Sequence, residues 1–258
     1  MRSIWTGSIS FGLVNIPVKL VTAVKEHEVE FDMLAKKDLA PIRYARIATS
    51  TGKEIEYKDI VKGYEYTKGK YVVVTPEDFQ AASPEKSKAI DIIQFVKSEE
   101  IDSIYYDKPY YLLPGKGAEK PYQLLLKALE KSKTVGIAEF MMRNRMHISA
   151  IRPHGSVLMI NQMRYETEVL EPPKHEAQSV RITAKEMELA SKLIHQLTDA
   201  FDASKFKDTY IEKLKKVIKA KAAGKKIVTP ELKLVKTPAK DLMAELKESL
   251  SSGRKKVA

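Results

Sequence analysis

Residues 138–169 read AEFMMRNRMHISAIRPHGSVLMINQMRYETEV. Apolar and polar residues alternate through much of this stretch, the period of an antiparallel strand pair. The segment "RPHGS", 152–156, marks the turn between two arms. Arg143, Arg145, Arg152 and Arg164 lie on them. A strand face that buries itself does not accommodate four guanidinium groups. Arms of about 13 residues, at about 3.3 Å each, reach about 43 Å. That exceeds the usual strand of a globular sheet, and it is enough to follow one side of a nucleic-acid duplex. Two readings stay open: a half-exposed hairpin with arginine on its wet face, or a ribbon that lays arginine on phosphate.

The first two-thirds of the chain read mostly as strands. Ile16, Val18 and Leu20 share one face at period two, and Val29, Phe31 and Met33 do the same. "YEYTKGKYVVVT", 64–75, reads as a hairpin around Lys68-Gly69. "AIDIIQFV", 89–96, and "SIYYDKPYYLL", 103–113, are further strands. The second is expected at a sheet edge, because Pro109 has no amide to donate. Two helices interrupt. One opens with Thr75 as N-cap and Pro76 in its first turn. The other aligns Tyr122, Leu125, Leu126 and Leu129 on one face.

After "EPP", 171–173, the pattern becomes helical. Thr183 and Glu186 form a capping-box signature. Met187, Ala190, Ile194, Leu197 and Phe201 follow as the expected buried face. A second helix over 208–224 aligns Tyr210, Leu214, Val217 and Ile218. Seven lysines from Lys213 to Lys226 surround that stripe. A linker-like stretch with two prolines precedes a short last helix carrying Leu242, Met243, Leu246 and Leu250. So short a helix is marginal alone; it docks either on its own domain or in a partner's groove. The fold class expected is α+β, mainly β: an antiparallel barrel core with a long strand-ribbon arm and a helical C-terminal region. Its expected divisions are 1–175, 176–224 and 225–258.

Composition narrows the functions. The chain has 258 residues, enough for a proper core, and no apolar run long enough to span a bilayer. It has no cysteine, which excludes disulfides and thiolate metal sites and fits a cytoplasmic location. Residues 204–258 hold 16 Lys and Arg against 6 Asp and Glu, whereas residues 1–203 hold 29 against 28. The basic excess thus sits in the last fifth and points to an acidic polymer or anionic surface as partner. No phosphate-binding loop, dinucleotide fingerprint, zinc-protease helix or nucleophile elbow occurs. The five histidines lack metal-ligand spacing, and His195, among helical apolar residues, reads as a packed or boundary residue rather than a ligand. Glu99, Glu100 and Asp102 are the one cluster that could seat Mg²⁺ for a nuclease. The reading is a protein with no catalytic residue, no cofactor and no metal.

Several blocks, taken together in order, are similar to the prokaryotic Ku family of DNA-end-binding proteins. They are "SIWTGSISFGLVNIPVKL" (3–20), "DIVKGYEYTKGKYVVVT" (59–75), "EIDSIYYDKPYYLLP" (100–114), "GIAEFMMRNRMHISAIRP" (136–153), "QMRYETEV" (162–169) and "KAKAAGKKI" (219–227). The resemblance implies a non-enzymatic homodimer whose arms form a ring on a broken duplex end and which recruits a DNA ligase. It implies that the ribbon 137–168 belongs to the bridge around DNA. It carries backbone contact to Arg143, Arg145 and Arg152, and to Arg43 and Arg46 in "PIRYARIA" (41–48). Lys36, Lys37, Lys213 and Lys216 are the further DNA-binding candidates. Leu242, Met243, Leu246 and Leu250 become the ligase-docking stripe. The expected location is the cytoplasm, on the nucleoid. The alternative is a general nucleic-acid binder acting through its lysine-rich C-terminus.

Overall fold

Gly12 lies at a φ of +58°, a left-handed position that a side chain would strain. It forms the tight turn between β1 (Ser3–Phe11) and β2 (Val14–Thr22). The structure is a computed structural model that describes residues 2–25, 29–82, 88–173, 182–225 and 242–251. Two compact units divide it, 1–172 and 173–258.

The first unit continues through β3 (Lys62–Thr67) and β4 (Lys70–Val74), a hairpin turning at Lys68-Gly69. α1 (Pro76–Ala81) follows, with Thr75 and Asp78 completing a reciprocal cap. Then come β5 (Ala89–Lys97), β6 (Tyr106–Pro114), α2 (Glu119–Ser132), β7 (Thr134–Met142), β8 (Arg145–His154) and β9 (Val157–Met163). Seven strands close into a barrel in the order β1-β2-β6-β9-β8-β7-β5. Neighbours are antiparallel except at the seam, where β1 meets β5 in parallel through Ser8↔Ala89 to Ser10↔Asp91. Closure removes the sheet edges that would otherwise invite pairing.

Two expectations change here. Pro109 is not at an edge: β6 sits in the wall between β2 and β9. The missing amide is tolerated because the β6–β9 register slips between Tyr106 and Pro109. The long ribbon is not two free arms. A second turn at Arg143-Asn144, both with positive φ, splits it into three strands. Those strands are barrel wall, with Ile137, Ala138, Phe140, Met142, Ala150, Ile151, Leu158 and Ile160 buried. Both faces of these strands are covered, Ala138, Phe140 and Ile151 on the main core and Val135, Ile137 and Ala150 on a second cluster. Arg143 and Arg145 fall at the turn and Arg164 just past β9, while Arg152 lies within β8.

The core is built from Ile9, Ile16, Val18, Leu20, Ile90, Leu112, Phe140, Ile151, Leu158 and Ile160. Tyr122, Leu125, Leu126 and Leu129 of α2 join the same cluster, as their shared face predicts. Each side chain of that size contributes about 1.5–3 kcal/mol on full burial. Trp5 packs edge-on to Phe140 and donates its indole N–H to the Met141 carbonyl at 3.1 Å.

The second unit contains α3 (Ala184–Leu197), α4 (Thr209–Ala222) and α5 (Leu242–Ser251). Thr183 and Glu186 form the expected capping box. Asp208 caps α4 by accepting from the Ile211 amide.

Candidate nucleic-acid interface

Between β2 and β5 the first unit carries a segment that does not enter the barrel. Residues 29–61 form no strand or α-helix; they hold turns at 36–38 and 49–51, a single 3-10 turn at Tyr57–Asp59 and two isolated bridges, Leu34↔Pro41 and Ile47↔Glu54. The expected strand at Val29, Phe31 and Met33 is absent, and Phe31 is 66% exposed. Its alternation finds no neighbouring strand to pair with. The hairpin β3–β4 forms a two-stranded sheet of its own. Tyr64 (65% exposed), Tyr66, Tyr71, Val72 and Val73 all remain open to solvent. Such a sheet is marginal without a third strand or a covering layer.

This arm carries four of the candidate cations. Lys36 and Lys37 occupy a turn closed by the Ala35 amide on the Ala40 carbonyl at 2.8 Å. Asp38 is consumed there, accepting from the Ala40 amide. Arg43 and Arg46 follow on the same exposed stretch, and the Arg46 guanidinium lies 5.1 Å from the centre of the Tyr57 ring. Among the described residues no ion pair engages these four cations. A cation over an aromatic face stays held and still charged, which suits phosphate contact. Tyr57, and Phe79 beneath the Lys62 ammonium, are further candidates that charge counting misses. The signal was the interleaving of tyrosine and lysine through 57–71.

The barrel arginines divide by partner. Arg143 is exposed at its turn with a φ of +54°. Arg145 pairs with Glu168 at 2.9 Å. Arg164 is structural: it donates to the carbonyls of Ile104 and Tyr106 and pairs with Asp107 at 3.3 Å. Arg152 is half-buried and donates through Nε to Asn161 Oδ1 at 3.1 Å. That partner is neutral, so it orients the guanidinium without cancelling its charge. Arg145, Arg164, His147, Tyr165, Asp107 and Glu168 line one polar recess. Burial pushes the His147 imidazole below its ordinary value, and Arg145 adds to that. The Tyr165 amide, and then Arg145, hold the Glu168 carboxyl low.

The carboxylate cluster has local duties. Glu100 accepts from the Lys97 amide, and Asp102 accepts from the Ile104 amide. Among the described residues no group of three or more metal-ligating side chains converges.

In the second unit Lys213 and Lys216 lie on the exposed face of α4. α5 lies against α3. Met243, Leu246 and Leu250 are half-buried, while Leu242 is 57% exposed. The face expected to be buried on α3 is displaced. Met187, Ile194 and Leu197, and Phe201 beyond the helix end, are exposed, and Glu186, Leu189, Ala190 and Leu193 are the partly covered residues. The apolar arc of α3 is wider than α5, so the covered part is set by where α5 lies. His195 is exposed near the end of α3, so of the two readings, packed or boundary, the packed one does not hold.

A family model described as the Ku70/Ku80 beta-barrel domain matches residues 10–189. The chain belongs to the Ku family. It is 38% identical over 252 residues to the "Non-homologous end joining protein Ku" of Koribacter versatilis, covering 97% of this chain and 86% of that one. It is 36% identical to the protein of that name from Coxiella burnetii, over 98% of this chain and 96% of that one. The Archaeoglobus fulgidus protein of the same name is 42% identical over 90% of this chain and 92% of its own. The Ku match spans β2 to β9 and the whole of the exposed arm, so the arm is part of the family domain. No helix of the described residues is long and apolar enough to cross a membrane.

Proposed function

We propose that two copies of this chain join through their arms into a ring on a double-stranded DNA end, and that the ring recruits a DNA ligase in non-homologous end joining. The observation that carries this reading is the arm itself. Residues 29–82 expose aromatic and aliphatic side chains on a two-stranded sheet without a covering layer, beside the unpaired Lys36, Lys37, Arg43 and Arg46. Exposed apolar surface of this kind marks a protein interface. Cations on the same segment then line whatever the joined arms enclose. The names of the relatives support the same role.

On this reading the bridge is the arm 29–82, not the barrel wall at 137–168. Arg43, Arg46, Lys36 and Lys37 contact phosphates, with Arg143, Arg145 and Arg152 on the barrel and Lys213 and Lys216 on α4 as further contacts. Phosphate contact carries no sequence information, so the ring accepts any end. The protein works on the nucleoid in the cytoplasm, without cofactor and without chemistry of its own. α5 presents Leu242, Met243, Leu246 and Leu250 to the ligase.

A gel-shift titration tests the ring. One short duplex has free ends; the other is the same duplex closed by hairpin loops too bulky to thread. Binding selective for the open duplex, weakening steeply with salt, is expected. Equal binding to both would leave only external coating of phosphates by the lysine-rich α4.

A further inference from the structure

We infer that α3 is the seat of α5 in the free protein, and that α5 must leave this seat before its apolar stripe can enter a partner's groove. The inference rests on reading α5 as the ligase-docking segment.

α5 has ten residues, fewer than an isolated helix needs to be stable in water. Its helicity therefore depends on a surface. Met243, Leu246 and Leu250 recur at spacings of three and four, so they share one face. All three are half-buried, and α3 is in contact with α5. On α3 the half-buried residues are Glu186, Leu189, Ala190 and Leu193, which share a face by the same spacing. α5 offers a single apolar face. That face cannot lie on α3 and in a groove at once, so the two states exclude each other.

The seat is also shallow. Neither α3 nor α5 has a fully buried residue. Met187, Ile194 and Leu197 on α3 stay exposed beside the covered face, with Ile194 at 68%. A half-buried contact yields only part of the hydrophobic free energy of a core residue. The seat is therefore strong enough to hold α5 and weak enough to release it. Recruitment becomes an exchange of α5 from its own α3 to the partner, and the apparent affinity for the partner falls by the fraction of α5 that is seated.

The test uses the full chain and a fluorescent peptide of residues 237–258 as the probe. In the wild type the chain's own α5 occupies the seat. In Leu246→Glu that α5 is defective, and the seat is vacant for the intact peptide. Anisotropy titration should show the peptide binding the Leu246→Glu chain at least tenfold more tightly than the wild type. Adding Leu193→Glu to that chain should abolish the gain, with hydrogen exchange of residues 134–163 unchanged to show that the barrel is intact. Equal binding to wild type and Leu246→Glu, or binding to neither, overturns the inference. A separate arm measures capture of the end-joining DNA ligase by the Leu193→Glu chain, which frees an intact α5. Increased capture is expected. If the peptide exchange holds but capture does not rise, the seat stands and the ligase-docking reading of α5 fails.

Discussion

The hydroxyl of Tyr122 accepts a hydrogen bond from the Leu158 amide at 2.7 Å, and it donates to the Leu112 carbonyl at 2.6 Å. Leu112 and Leu158 face each other across β6 and β9. One side chain of α2 thus completes the pairing of two barrel strands from within the core. Burial pushes the hydroxyl above its ordinary acidity range, so it stays protonated and able to donate. Tyr122→Phe keeps the ring and strands a buried amide. The expected loss is about 1–3 kcal/mol, read from urea denaturation. An unchanged midpoint would show that the hydroxyl is dispensable.

Gly7 is the tightest approach in the barrel. A Cβ there would meet the Lys88 carbonyl at 2.1 Å and the Trp5 ring at 2.2 Å. The Ser8 amide bonds that same carbonyl where β1 meets β5. Gly7→Ala therefore forces the parallel seam apart or unseats Trp5. A loss of about 1–3 kcal/mol or more is expected. Thermal unfolding with tryptophan fluorescence reads both effects, since Trp5 is the chain's one tryptophan.

The arginines should separate by salt dependence. Arg43→Ala with Arg46→Ala removes two unpaired cations from the arm. The slope of log affinity against log salt should fall by about 0.9 per lost phosphate contact. Arg164→Ala should leave that slope unchanged and lower stability instead, because its guanidinium holds the carbonyls of Ile104 and Tyr106. A slope altered by Arg164→Ala and not by the arm pair would reverse these roles.

Tyr64 and Val72 are directly paired across β3 and β4 and both are exposed. Replacing both with serine removes apolar surface from one face of the hairpin. Sedimentation at micromolar concentration should shift toward monomer, and barrel unfolding should change little. A variant that stays dimeric would move the interface off the arm.

His147 sets a pH dependence. Its folded value lies below the ordinary 6.5, chiefly through burial. The unfolded chain therefore takes up the proton first as pH falls. The contribution is complete above about 6.5 and declines below it until the folded group also protonates. The Glu168 carboxyl, ordinarily near 4.5 and held lower, loses its contribution only in more acidic solution. Urea midpoints between about pH 7.5 and 5 should fall for the wild type and stay flatter for His147→Gln. Parallel profiles would remove His147 as the cause.

Local signals in the sequence determined the Thr75 and Thr183 caps, the turn at Lys68-Gly69, and the inward faces of β2 and α2. Each depends on residues within a few positions of one another. The basic character of Lys36, Lys37, Arg43 and Arg46 was equally legible. Tertiary structure alone decided which arginines are free. Arg145 meets a carboxylate 23 residues away and Arg164 one 57 residues away, separations that no local pattern encodes. It also decided that alternating residues at 29–33 stay unpaired while those at 137–142 become barrel wall. Both stretches carry apolar residues at period two, and 137–142 is set apart by the neighbouring strands β5 and β8 that pair with it. The covered face of α3 follows the same rule, because its apolar arc is wider than one helix and the position of α5 selects the part that is buried.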